Sequence, residues 1–185
     1  MGLKSWSAPE KWILAGIPAL FLIGSVLHFA HQLLGQNPVA GLFFPVNESV
    51  WEHCKMVLLP VILWWSIYYC CRGKKHGISK DKWFSAALWA LLSAWIAVPL
   101  LFYFYTQAFG VELLWVDIII LFAAFLFGQL LGLHLFRYGT GIPAWIPICV
   151  FIFLLLVFMV FTFFPPHIPL FEDAVTAAYG IQWFI

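Results

Sequence analysis

The chain has 185 residues, of which 64% are hydrophobic and 9% are charged, and its formal net charge is +1. A soluble domain cannot cover its surface with so few polar side chains, and this charge gives no reason to expect a nucleic-acid partner. Several apolar runs reach the roughly 20 residues that a helix needs to cross a bilayer, without the alternation of a membrane β-strand. The composition therefore predicts an all-α, polytopic membrane helical bundle.

Five apolar runs predict five transmembrane helices. With no internal repeat, the chain is expected to form a single integral membrane domain covering residues 1–185. The segment 165–185 is too broken by proline for a sixth span, and its aromatic residues predict that it lies against the outer membrane interface. The predicted spans are 12–34, 49–71, 83–106, 113–136 and 144–164.

The basic residues predict how the chain crosses the membrane. Lys4 and Lys11 precede the first span, five more basic residues lie in 72–82, and Arg137 follows the fourth span. Because cytoplasmic loops carry an excess of Lys and Arg, the face with these residues is predicted to be cytoplasmic. The amino terminus is then inside and the carboxyl terminus outside, and Lys55 is the exception because it lies near the outer face.

The stretch PVNESVWEH, residues 45–53, concentrates polar side chains between two apolar runs. Asn47 or Ser49 can cap the start of the second span, and Ser49-x-x-Glu52 is a capping-box pattern. Glu48 and Glu52 in the first turn also suit the helix dipole. Helix capping alone would explain these four residues.

Capping does not explain His53 or Lys55, which follow in the same stretch. A cation near a helix amino terminus opposes the dipole, so Lys55 needs a partner. Glu52 and Glu48, three and seven residues earlier, share its helical face. The stretch therefore predicts either an internal salt bridge or a binding site.

The first span contributes His28 and His31 near its outer end. A spacing of three places both histidines on one helical face. Gly24 and Gly35 continue this stripe, which predicts the close approach of a neighbouring helix. One histidine alone would need only a carbonyl or head-group partner, but the pair opposite a Glu-rich helix start predicts a site.

The fourth span and the tail add further polar groups at the outer end. Asp117 lies about one turn inside its span, where an unpaired carboxylate is costly, so it is expected to be paired or neutral. Gly128-x-x-x-Gly132 on the same helix predicts a packing seam. In the tail, His167 and Asp173 lie outside the spans, and Asp173 is more simply interpreted as a cap of a short helix than as a catalytic group.

The runs N-E-S-V-W-E-H-C-K and P-P-H-I-P-L-F-E-D resemble a family of small prokaryotic integral membrane proteins of unknown function. Members of that family carry N-E-S-x-W-E-H-x-K and a P-P-x-I-P-L-F-x-D tail. The resemblance covers most of the chain and implies a multi-pass protein of the prokaryotic inner or plasma membrane, but it implies no activity. The residues that match the family pattern are Asn47, Glu48, Ser49, Trp51, Glu52, His53, Lys55 and Asp173.

The first hypothesis is a zinc site in the outer half of the membrane that serves a hydrolase or a lipid-modifying enzyme. Imidazoles with a carboxylate are typical zinc ligands, and an open fourth position would hold a reactive water. The predicted ligands are His28, His31, His53 and Asp117, and the predicted catalytic residues are Glu48, as general base, and Glu52, which is also an alternative ligand. The supporting residues are Asn47, Ser49, Trp51, Lys55, His167 and Asp173.

Two other interpretations stay open. Glu48, Glu52, Lys55 and Asp117 could form the relay of a small proton-coupled carrier, for which a homo-oligomer would supply the missing internal repeat. Alternatively, the protein is a structural or partner-binding membrane subunit whose polar cluster only fixes the helix register. In each case membrane lipid surrounds the protein.

Overall fold

The computed structural model describes residues 6–181, and regular structure in that range is helical. A π-helical turn, Tyr69–Gly73, extends α5, and a 3-10 turn, Pro169–Phe171, begins the tail. Between residues 6 and 181 the only β-type pairing is an isolated bridge of Glu172 with Tyr179. The helices are α1 Ala8–His28, α2 Ala30–Leu33, α3 Pro38–Gly41, α4 Val50–His53, α5 Lys55–Tyr68, α6 Lys80–Phe109, α7 Leu114–Tyr138 and α8 Trp145–Phe163.

Five helical segments are long and apolar enough to cross a membrane, which confirms the predicted helical class and number of spans. They are Ala8–His28, Val50–Gly73, Lys80–Phe109, Leu114–Tyr138 and Trp145–Phe163.

The first span is where the predicted bounds differ most from the structure. Its helix ends at His28 instead of near residue 34, because the chain turns at Phe29 before the short α2 begins. Gly35 and Gln36 then adopt positive φ angles of 71° and 55°, which turn the chain towards α3.

Four helices enclose the core, and the fifth packs on one side of them. α1 contacts α7 and α5, α6 contacts the same two helices, and α8 packs against α5 and α6. The interior holds fully buried aromatic side chains such as Trp65, Trp83 and Phe125, whereas Phe104 and Phe127 are exposed on the outer surface. Apolar side chains on both the inside and the outside are typical of a bundle whose surroundings are lipid.

The predicted Gly128-x-x-x-Gly132 seam is confirmed. A Cβ atom at Gly128 would lie 2.6 Å from the Ala90 carbonyl oxygen, and one at Gly132 would lie 2.9 Å from the Trp65 ring and from Ala90 Cβ. Real Cβ atoms do not come so close, so α7 can approach α6 at this distance only with glycine at these positions.

Of the two glycines predicted to let a neighbouring helix approach the first span, Gly24 does so and Gly35 does not. A Cβ atom at Gly24 would lie 2.9 Å from the Met56 carbonyl oxygen, so this glycine brings α1 close to α5. The packing role predicted for Gly35 is wrong, because nothing lies within 4 Å of its Cβ position. Its φ of 71° is a left-handed conformation that glycine adopts without steric cost.

The loop 29–49 and the tail close one end of the bundle, which we call the upper end. It contains the last residues of α1, α6 and α8 and the first residues of α4 and α7; the opposite end is the lower end. Asn47 Nδ2 donates a hydrogen bond of 3.1 Å to the Gly180 carbonyl oxygen. The Ile181 N–H donates to the Thr162 carbonyl oxygen at 2.9 Å, so the tail is tied to both the loop and α8.

Candidate metal centre

The start of α4 is built as the PVNESVWEH pattern predicts, with one difference. Ser49 is the N-cap, and its hydroxyl accepts a hydrogen bond of 3.2 Å from the Glu52 N–H. Asn47 Oδ1 in turn accepts from the Ser49 N–H at 3.0 Å. The Glu52 carboxylate accepts instead from the Val46 N–H, at 3.0 Å. The capping turn thus fixes Glu48 and His53 on one side of the helix start and Glu52 on another.

His28, Glu48 and His53 come together at the upper end and form what we call the His–Glu–His triad. His53 Nε2 lies 3.3 Å from Glu48 Oε2, and His28 Nε2 lies 3.7 Å from Glu48 Oε1. The two imidazole rings stack, with centroids 5.2 Å apart and planes inclined by 14°. One ligand atom from each residue lies within 4.8 Å of the other two.

These spacings fit a tetrahedral metal ion. Ligand atoms about 2.0–2.1 Å from a tetrahedral zinc are roughly 3.4 Å from each other. Each imidazole lies close to that distance from one of the two Glu48 oxygens, His53 Nε2 at 3.3 Å from Oε2 and His28 Nε2 at 3.7 Å from Oε1. Two imidazoles and one carboxylate are also a ligand set that leaves a fourth position open for water or substrate.

The electrostatics of the triad also suit a cation. The hydrogen bond from His53 lowers the pKa of Glu48, an effect that outweighs the opposing influence of burial, so the carboxylate stays ionised. The Glu48 side chain is 46% exposed and each histidine 26% exposed, so the site can be reached from outside the bundle. His28 Nδ1 is buried and has no hydrogen-bond partner among residues 6–181.

The triad lines one wall of a cavity of about 540 Å³. Residues of α6 and α7 supply most of the remaining lining, and Ala174 and Val175 of the tail also contribute. Most of the lining is apolar, with a few convergent polar groups, which is the usual make-up of a small-molecule site. The titratable side chains that line it are His28, Glu48, His53, Glu112 and Asp117.

Asp117 faces this cavity from α7 and is paired, as expected, though with a residue that sequence reasoning missed. Tyr105 Oη donates a hydrogen bond of 2.8 Å to Asp117 Oδ1 and accepts one of 3.2 Å from the Leu113 N–H. This chain of bonds fixes the carboxylate in the lining of the cavity that the triad also lines. In the sequence, Tyr105 is one of several aromatic residues at the end of α6 and resembles an ordinary interfacial tyrosine.

Glu52 and Lys55 form a separate group, which we call the buried ion pair. Lys55 Nζ lies 2.6 Å from Glu52 Oε2, and the two side chains are 3% and 2% exposed. The ammonium group also donates to the Gly41 carbonyl oxygen at 2.7 Å and to Thr162 Oγ1 at 2.6 Å. Neither residue lines the cavity of the triad.

The buried ion pair joins segments that are far apart in sequence. Thr162 Oγ1 donates to the Phe158 carbonyl oxygen at 2.9 Å and lies 3.4 Å from Glu52 Oε1, which connects α8 to α4. Trp51 stacks on Phe158, with ring centroids 4.1 Å apart. Thr162, like Tyr105, was missed by the sequence analysis, because a threonine in an apolar helix gives no signal of its own.

The other residues predicted for the site lie elsewhere. His31 is buried on α2, and its Nε2 has no hydrogen-bond partner in the described chain, 6–181. Burial lowers the pKa of His31, and the neighbouring Lys55 ammonium lowers it further. His167 packs on Tyr179, with ring centroids 4.6 Å apart. Asp173 caps a turn by accepting hydrogen bonds from the Val175 N–H and the Thr176 hydroxyl.

Comparison with known proteins identifies the family of the chain but gives no activity. No curated protein and no solved structure matches the chain at a significant level. One family model, described as a family of unknown function, DUF6512, matches residues 1–181. The chain therefore belongs to the DUF6512 family of unknown function.

Proposed function

We propose that this protein is a multi-pass membrane protein with a zinc centre at the His–Glu–His triad, and that the centre serves a hydrolytic or lipid-modifying reaction. The observation that carries the proposal is the convergence of His28, Glu48 and His53, whose ligand atoms lie within 4.8 Å of one another beside a cavity. Zinc bound there would lower the pKa of a coordinated water to about 7 and make it a nucleophile.

The protein's own side chains have distinct roles in this proposal. His28 and His53 would supply neutral nitrogen ligands, and Glu48 would supply a carboxylate whose pKa the neighbouring His53 already lowers in the metal-free protein. Asp117, held by Tyr105, lines the same cavity and would exchange a proton with water or substrate. The apolar lining of the cavity suits an apolar part of a substrate.

Glu52 and Lys55 have no chemical role in this proposal. Their side chains are occupied by one another, by Thr162 and by backbone groups, and they do not reach the cavity. They instead hold the start of α4 against α8, which fixes the position of His53 one residue after Glu52. The interpretation that the polar cluster only fixes the helix register therefore applies to Glu52 and Lys55, and not to Glu48 and His53.

The distribution of basic residues supports an orientation with the triad at the outer face. Lys11, Arg72, Lys74 and Lys75 lie towards the lower end, which the positive-inside rule assigns to the cytoplasm. The family resemblance noted in the sequence supports a prokaryotic inner or plasma membrane. Membrane lipid is then the most accessible substrate for a cavity at this level.

Zinc binding to purified protein tests the proposal. The protein is stripped with a chelator in neutral detergent and titrated with zinc, and bound metal is counted by elemental analysis. We expect one zinc per chain, with at least about 100-fold weaker binding in His28→Gln and His53→Gln, because each substitution removes a ligand. His134→Gln is the matched control, because His134 is an exposed histidine near the lower end of α7.

Two results would contradict the zinc centre. One is stripped wild-type protein that stays folded but takes up no zinc at micromolar concentration. The other is zinc uptake that His53→Gln and His134→Gln weaken to the same extent, since binding would then not depend on the triad.

A further inference from the structure

A groove of about 640 Å³ lies at the lower end of the bundle, at the opposite end from the triad. One part of its lining is a face of α1 that includes Lys11 and Ala15. Another part comes from the end of α5 and the π-helical turn, with Ile67 and Arg72, and the loop that follows contributes His76. The groove therefore combines basic and apolar side chains from two neighbouring spans.

The groove changes from charged to apolar along the direction of the helices. Ala15 follows Lys11 by four residues, and Ile67 precedes Arg72 by five, so each lies roughly 6–7 Å nearer the middle of the bundle. Ala15 is exposed and Ile67 is 52% exposed, so this part of the groove faces the surroundings of the bundle. A ligand that fills the groove meets cations at the lower end and apolar side chains above them.

Lys11 and Arg72 differ from other basic residues at the lower end in what they contact. Within the described range 6–181, neither forms an ion pair with a carboxylate, and no aspartate or glutamate lines the groove. Arg137, by contrast, pairs with Glu10, and Lys82 Nζ donates a hydrogen bond of 3.1 Å to the Arg137 carbonyl oxygen. The two positive charges of the groove thus have no carboxylate to balance them there.

Aromatic side chains fix the shape of the groove. Trp12 stacks on Trp64 with ring centroids 4.0 Å apart, and each indole N–H donates to the backbone carbonyl oxygen of the other residue, at 3.2 and 3.3 Å. The Tyr68 ring lies 5.1 Å from Trp12, and its hydroxyl is hydrogen-bonded to His76 Nδ1 at 2.9 Å. These contacts hold α1 and α5 together, so the groove is formed before a ligand arrives.

We infer that this groove binds an anionic phospholipid, whose phosphate contacts Lys11 and Arg72 and whose acyl chain lies along Ala15 and Ile67. Lysine and arginine are the side chains that proteins use to bind phosphate, and basic pockets between membrane helices bind anionic head groups. A zwitterionic lipid would bring its own ammonium group towards the same two cations. A phosphate without an acyl chain would leave the apolar part of the groove unfilled.

Lipids with identical acyl chains test the inference on the purified full chain in neutral maltoside detergent. Dioctanoyl phosphatidylglycerol and dioctanoyl phosphatidylcholine differ in the net charge of the head group, and glycerol 3-phosphate is the head group without acyl chains. Native mass spectrometry counts the bound molecules and gives a Kd for each. Variants Lys11→Gln and Arg72→Gln are compared with Lys74→Gln, because Lys74 is exposed two residues after Arg72 but does not line the groove.

We expect phosphatidylglycerol to bind at least about tenfold more tightly than phosphatidylcholine. Lys11→Gln and Arg72→Gln should each reduce this ratio about fivefold, and Lys74→Gln by less than about twofold. Equal binding of the two lipids would overturn the inference, and so would equal effects of Arg72→Gln and Lys74→Gln, since the attraction would then be general. Glycerol 3-phosphate that binds as tightly as phosphatidylglycerol would show a phosphate site and not a lipid site.

A substitution in the apolar part of the groove separates lipid binding from attraction by charge alone. Ala15 is exposed, so the larger side chain of Ala15→Phe occupies the groove without entering the core. Phosphatidylglycerol binding should weaken by about tenfold, whereas Leu22→Phe, at an exposed position of α1 outside the groove, should not change it. Unchanged binding in Ala15→Phe would overturn the inference. Because the triad lies at the other end of the bundle, each of these results is independent of zinc.

Discussion

The His–Glu–His triad and the buried ion pair come from the same short stretch of sequence, but their surroundings are opposite. Glu48 and His53 are 46% and 26% exposed, and they face a cavity. Glu52 and Lys55 are almost completely buried, and backbone groups and Thr162 complete their hydrogen bonding. Neighbouring charged residues on one helix turn can therefore serve different purposes, according to the side of the helix on which they lie.

The difference also separates a structural group from a candidate site at the upper end of the bundle. The buried ion pair is a closed network that ties the loop, α4 and α8 together. The triad lines a cavity, and its three side chains are partly exposed. A satisfied network indicates a structural role, whereas accessible ligand atoms indicate a role that a bound ion completes.

The largest expected effect comes from breaking the buried ion pair. Lys55→Met should lower the free energy of unfolding by about 3–5 kcal/mol, because it leaves the Glu52 carboxylate buried without its cation. Unfolding in mixed SDS and maltoside micelles measures the change. The double variant Glu52→Gln with Lys55→Met should recover part of the loss; a single variant as stable as wild type would contradict the structural role.

Zinc should stabilise the protein through the triad and not through the buried ion pair. At a free zinc concentration 100 times the Kd, the free energy of unfolding should rise by about 2.7 kcal/mol, because zinc binds only the folded chain. Glu48→Gln should abolish this gain while changing the metal-free stability little, because Glu48 is half exposed. A zinc-dependent gain that persists in Glu48→Gln would show that the ion binds elsewhere.

Tyr105→Phe tests whether Asp117 is held in place. The substitution removes the donor to Asp117 Oδ1 and the acceptor of the Leu113 N–H, so we expect a loss of about 1–2 kcal/mol in the free energy of unfolding. Tyr103→Phe, on the same helix, is the matched control; equal effects of both variants would contradict the assignment.

The smallest expected effect is a pH dependence from His31. Because its pKa is lowered in the folded protein, the unfolded chain binds a proton first as the pH falls. Stability should therefore be intact above the ordinary histidine pKa of about 6.5 and should decline as the pH falls below it. Unfolding curves of metal-free protein at several pH values measure this decline, which His31→Gln should reduce and His167→Gln should not.

Much of the upper end could be predicted from the sequence because it depends on local pattern. The Ser49 cap follows from the order of residues in PVNESVWEH, and five spans follow from the apolar runs. The convergence of His28 with Glu48 and His53 follows from the topology, since the end of one span and the start of the next share one face of the membrane.

What could not be predicted depends on where a helix ends and on contacts distant in sequence. A spacing of three residues places His28 and His31 on one face only if both lie in one continuous helix. Here α1 ends at His28, and His31 lies in the separate helix α2. The partner of Lys55 in α8, Thr162, is 107 residues away, and no spacing rule indicates it. Tyr105 likewise meets Asp117 only because α6 and α7 pack together.

X-ray absorption spectroscopy at the zinc edge of the zinc-loaded protein tests the central claim most directly. The account predicts a four-coordinate zinc with two imidazole nitrogens and with oxygen ligands, at about 2.0–2.1 Å, and the loss of one imidazole contribution in His53→Gln. A zinc spectrum without imidazole scattering, or one that His53→Gln does not change, would contradict the metal centre.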